Sequence, residues 1–177
     1  MRILLAAALF LAASAVPASA ADLATLDCVG AKLDAAVRSQ IESEASSALA
    51  QAGKRLTYSP AVGQGLGTAA KACAAEHKWT AAAAKAAGFY ALAKLGLPLA
   101  RRAVEEKGFD AAALEDQFQA LPEEKRVRVL TTQDTQALIQ AAVTDEAQQT
   151  RANAELLAEY FSFLSTAQYA AHDFSEA

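Results

Sequence analysis

The chain is short of most residues that protein chemistry uses. It holds two histidines, two cysteines and one tryptophan among 177 residues. A zinc site takes about four ligands, and two histidines do not go far toward one. No Gly-x-Ser-x-Gly elbow places a nucleophile, which argues against a hydrolase triad. No Cys-x-x-Cys occurs, which excludes a thioredoxin-type redox motif and c-type haem attachment. Gly63-x-Gly65-x-Gly67 lacks the Gly-x-Gly-x-x-Gly spacing, and no strand precedes it. No cofactor is expected.

Positive charge is also scarce. Sixteen basic residues stand against 20 acidic ones, a formal charge of −4. This balance speaks against nucleic acid, whose binders present basic faces, and against general adhesion to anionic lipid. Strand patterning is missing too. The nearest alternation, Val127 and Val129 between Arg126 and Arg128, is too short to carry a sheet.

The N-terminus, in contrast, is richly patterned. Arg2 precedes an apolar run from Ile3 to Val16, and Pro17-Ala18-Ser19-Ala20 follows with small residues at 18 and 20. This is the order of a secretory signal peptide cleaved after Ala20. The run is shorter than the roughly 20 residues of a bilayer span, so no stable membrane insertion is expected after cleavage. Asp27 before Cys28 rules out a lipobox, and no twin-Arg pair is present. The expected location is the periplasm or the exterior. Loss of residues 1–20 removes one positive charge and leaves a chain of single-domain size.

Outside the cytosol, Cys28 and Cys73 are expected to form one disulfide. Closing a loop of about 45 residues stabilises by roughly 4 kcal/mol in the chain-entropy model.

Ala makes up about a quarter of the chain after Ala20, and Ala is the best helix former. The fold class expected is all-α: an irregular antiparallel bundle of five to seven helices over 21–171, with a fraying tail at 172–177. The first helix is expected from Asp22 to Ala52, on a stripe from Leu26 through Ile41 to Leu49. Ser59-Pro60 starts the second, with turns loosened by Gly63, Gly65 and Gly67. A central buried helix follows Trp79, and Gly96-Leu97-Pro98 should end or kink it. Asp110 is an N-cap with Phe109 and Leu114 as its staple. Pro122-Glu123-Glu124 and Thr131 with Asp134 mark two more starts. Polar residues 144–151 divide the last two helices. The large side chains Trp79, Phe89, Tyr90, Phe109, Tyr160, Phe161 and Phe163 are expected to fill the core.

Candidate sites are few. Cys73 and His77 share a helical face, but a disulfide removes Cys73 as a thiolate ligand, so no metal is expected and His77 reads as a helix-end cation. His172-Asp173 are adjacent and do not face one another on a helix. Asp34, Glu42, Glu44, Glu146, Glu155 and Glu159 read mainly as solvated faces, although any could serve acid–base work on a glycan. Arg101-Arg102 and Lys125-Arg126-x-Arg128 read as exposed helix charge. His77, Trp79, Phe163 and Tyr169 are the candidate ligand or partner surface. No residue pattern singles out a catalytic group.

The function expected is therefore binding or structural, toward a protein partner or a second copy of the chain. Two alternatives stand beside it. One is an envelope-polymer hydrolase or lyase, which calls for a cleft holding a partly buried carboxylate. The other is a carrier of a small apolar ligand, which calls for a cavity lined by Ala, Leu and aromatics.

Overall fold

The computed structural model describes residues 21–51 and 53–177; the signal segment read at residues 1–20 lies outside them. Among the described residues there are eight α-helices and no strand. A 3-10 turn, Leu23–Thr25, leads into α1 (Cys28–Lys32) and α2 (Ala35–Leu49). Then come α3 (Pro60–His77), α4 (Ala81–Glu106), α5 (Ala111–Gln119), α6 (Glu123–Arg126), α7 (Thr132–Ala142) and α8 (Arg151–Ser175).

The long α4 and α8 form the axis of the bundle. They run antiparallel. Phe174 near the end of α8 meets Trp79 just before α4, and Phe163 in mid-α8 lies over Gly96. Two apolar cores share this axis. One gathers α1–α3 against the first half of α4, around Val29, Ile41, Val62, Ala87 and Phe174. The other gathers α5 and α7 against the second half, around Val104, Phe118, Leu157, Tyr160 and Phe161. Both are Ala-rich along α4, which lets α8 approach closely.

Several local signals act as expected. The Asp110 carboxylate accepts from the N–H groups of Ala112 and Ala113, and Phe109 and Leu114 are both buried. Thr131 and Asp134 form a reciprocal capping box. The polar stretch after Val143 separates α7 from α8, with a 3-10 turn at Glu146–Gln148. The disulfide Cys28–Cys73 is formed, with Cα atoms 6.0 Å apart.

Four expectations need correction. The first helix is not continuous. Leu33 and Asp34 are extended, with ψ 133° and 145°. Arg38 donates to the Gly30 carbonyl at 2.6 Å, filling an acceptor that the end of α1 leaves open. The break adds a helix and takes the total above seven. Second, α3 is regular from Pro60 onward. A β-carbon at 65 would stand 2.6 Å from Val37 Cγ2, so Gly65 serves close approach to α2 and not looseness. Third, of the end or kink expected at Gly96-Leu97-Pro98, the end does not occur: α4 runs through Pro98 to Glu106. The proline is exposed, and so is Lys94 one turn earlier, whose carbonyl loses its helical donor where water can replace it. Fourth, α8 continues to Ser175 in place of fraying after Ala171, because Phe174 is fully buried against Trp79. Of the large side chains assigned to the core, Phe89 is 41% exposed, and Trp79 and Tyr90 are only half-buried.

Candidate functional site

The four residues read as a candidate surface fall into two places. Phe163 and Tyr169 line one groove, while His77 and Trp79 sit together at the α3–α4 corner.

The groove measures about 660 Å³. Helix periodicity builds its walls. Thr132, Thr135, Gln136 and Ile139 recur at helical steps along one face of α7. Glu159, Ser162, Phe163, Thr166 and Tyr169 do the same along α8. Phe89, Leu92 and Ala93 of α4 and the connector residues Arg55, Leu56 and Tyr58 complete it. The lining therefore mixes apolar floor with hydroxyl and amide groups. Phe163 is buried and belongs to that floor, so it does not present the exposed surface considered for it. Phe89 is exposed, with the Lys85 ammonium 5.7 Å from its ring centre.

Two titratable groups mark one end. The Tyr58 hydroxyl is buried and has no hydrogen-bond partner among the described residues. Burial, with the nearby Glu159 and Glu44 charges, pushes its ionisation up. Burial also raises Glu159 above the ordinary carboxylate value, against the opposing pull of the Leu56 N–H and the Arg55 charge. Arg55 and Glu159 also border a smaller hollow of about 300 Å³ lined by Lys54, Lys107 and Glu155.

The other candidate carboxylates do not line the groove. Glu155 pairs with Arg151 at 2.7 Å. Glu44 accepts from the Ser59 N–H at 2.9 Å, which lowers its pKa after the larger effect of Gln40. Asp34, Glu42 and Glu146 are exposed. The basic clusters are partly taken up by structure. Arg101 pairs with Glu115, and Lys125 and Arg128 both meet the buried Asp134 at 2.9 Å.

At the other place, His77 closes α3 and its ring stacks on Trp79 with centroids 5.4 Å apart. Lys78 takes a left-handed conformation, φ 56°, to turn the chain toward α4. The Trp79 indole N–H donates to the Thr25 hydroxyl at 3.1 Å.

Sequence reasoning missed Phe89, Tyr58, Ser162 and Thr166 as groove residues. The readable signal was the pair of hydroxyls one turn apart, Ser162 and Thr166, beside Tyr169 on α8. Tyr58 had none, because only the fold brings its connector against α8. No protein-family model, curated protein or solved structure matches the chain.

Proposed function

We propose that this is an exported binding protein of the cell envelope or its exterior, and that the groove of α4, α7 and α8 takes a neutral amphipathic small molecule. The observation that carries the reading is the Tyr58 hydroxyl. A buried polar group without a partner costs about 1–3 kcal/mol, and among the described residues Tyr58, which lines this groove of ligand size, holds one. A ligand whose binding shifts the Tyr58 ring enough to reach the hydroxyl recovers that cost. Ser162 and Thr166 offer further hydrogen bonds, while Leu92, Ile139 and Phe163 take an apolar body. The groove carries Arg55 and Glu159 at one end, one charge of each sign, which suits a ligand without net charge. Export rests on the N-terminal pattern and is compatible with the disulfide. No helix among the described residues is long and apolar enough to cross a membrane.

The test uses the neutral dye Nile red as probe. Saturable binding at one dye per chain is expected. Ser162 is exposed on the groove wall, so Ser162→Trp fills the space and should weaken binding roughly tenfold or more, a change of about 1.4 kcal/mol. Equal binding by both proteins rejects the groove as the site.

One observation favours a second reading. Glu159 is half-buried in this groove with a raised pKa, as a general acid on an envelope polymer requires. Glu159→Gln separates the two. Loss of polymer turnover with dye binding retained favours the enzyme; retained dye binding with no turnover in either protein favours the binder.

A further inference from the structure

The disulfide lies beside two metal-ligating side chains, Glu76 and His77. Cys73 and His77 stand one turn apart on α3, Glu76 lies between them in sequence, and Cys28 reaches across from α1. The ligand atoms of Cys28, Glu76 and His77 all lie within 4.8 Å of one another. Cys73 Sγ is bonded to Cys28 Sγ and so stands one bond from this three-ligand group. One sulfur, an imidazole and a carboxylate from two helices thus converge, with the second sulfur bonded to the first. In the oxidised chain the sulfurs ligate nothing.

We infer that reduction of Cys28–Cys73 opens a zinc-class cation site made by Cys28, Cys73, His77 and Glu76. The α1–α3 cross-link is then exchanged for a metal and not lost. The balance is simple. A dithiol reductant gives two electrons and two protons, becoming a disulfide, and the S–S bond becomes two thiols. Binding of the cation releases those two protons. His77 gives a lone pair as neutral imidazole, and Glu76 binds as carboxylate.

The geometry suits this exchange. Zn–S bonds of about 2.3 Å in a tetrahedron set the sulfurs roughly 3.8 Å apart. Each sulfur then moves by about 1 Å, within reach of side-chain rotation from Cα atoms 6.0 Å apart. Glu76 now pairs with Lys32 at 2.8 Å, with both side chains exposed. Such a pair contributes little and exchanges readily. Stacking on Trp79 orients the His77 ring, and Trp79 is itself held by Thr25 and Phe174. The stack thus fixes the plane of the ring before a cation binds. The cluster shares no residue with the groove.

The experiment compares oxidised protein with protein reduced by a phosphine, which does not compete strongly for the metal. Reduced protein should bind one Zn²⁺ per chain with release of two protons. Co²⁺ in its place should give thiolate-to-metal charge-transfer absorption and tetrahedral d–d bands. Oxidised protein should do neither. His77→Ala and Glu76→Gln should each weaken Zn²⁺ binding, His77→Ala by more than the roughly 10- to 100-fold that loss of an outer-sphere partner costs. Helix content of every sample is followed by circular dichroism. If reduction unfolds the chain, added Zn²⁺ should restore its helix. No binding by reduced protein, no recovery of helix, equal binding by oxidised protein, or unchanged affinity in His77→Ala would each overturn the inference.

Discussion

Gly96 lies against the Phe163 ring so closely that a β-carbon at position 96 would clash with its Cε1 and Cζ. This contact sets how near α4 and α8 come at mid-length, and it fixes the floor of the groove. Gly96→Ala should destabilise by about 1–3 kcal/mol, the usual range for overpacking. Adding Phe163→Ala removes the clash, so the double variant should lose less than the sum of the two single losses. Urea unfolding of the four proteins measures this. Strict additivity would mean that the Gly96→Ala loss does not arise from contact with Phe163.

Asp134 gives a pH dependence with a defined sign. Its carboxylate is buried and held well below the ordinary range by hydrogen bonds from Lys125, Thr131 and Arg128. Its folded pKa is thus depressed. The stability it contributes is fully present above the unfolded value near about 3.9 and is lost as pH falls from there toward the folded value. Asp134→Asn should be less stable than wild type at neutral pH, and the difference should shrink below about pH 4. Denaturant midpoints against pH follow it. A constant gap across that window would assign the loss to shape and not to charge.

Cys28 and Cys73 close a loop of 45 residues. Replacing both with Ser should cost roughly 4 kcal/mol in the chain-entropy model, read as a lower denaturant midpoint. Thiol labelling of the unfolded, unreduced protein should find no free thiol.

Trp79 and Phe174 meet edge to face with centroids 5.0 Å apart. Phe174 is fully buried, so Phe174→Ala should destabilise by about 3–5 kcal/mol. The chain's single tryptophan reports the change directly as a red-shifted emission. Unchanged emission and stability would mean that the end of α8 is undocked.

Export predicts a mature N-terminus at Ala21. Mass spectrometry of the protein recovered outside the cytosol should find the chain without residues 1–20. Recovery of an intact N-terminus would exclude cleavage after Ala20.

The parts of this fold that were legible in the sequence are those decided locally. The Asp110 cap, the Thr131–Asp134 box and the polar gap after Val143 each depend on residues within a turn or two. The disulfide was legible because two cysteines allow one intramolecular pairing. The break at Leu33–Asp34 was not. Its apolar stripe keeps helical spacing straight through, and only packing of α1 on α3 and α4 divides it. Pro98 misled for a related reason: the helix tolerates it where the freed Lys94 carbonyl faces water. Of the groove, Tyr169 and Phe163 were visible as aromatics at the edge of a core stripe. Their neighbours Tyr58, Phe89 and Thr135 come from three other parts of the chain, and no local pattern joins them.

Amide chemical-shift mapping with a neutral amphiphile tests ligand binding in the groove of α4, α7 and α8 most directly. Shifts concentrated at Tyr58, Phe89, Ser162, Thr166 and Tyr169, saturating together, are the predicted result. Shifts confined to Trp79 and its surroundings, or scattered over the surface without saturation, would contradict it.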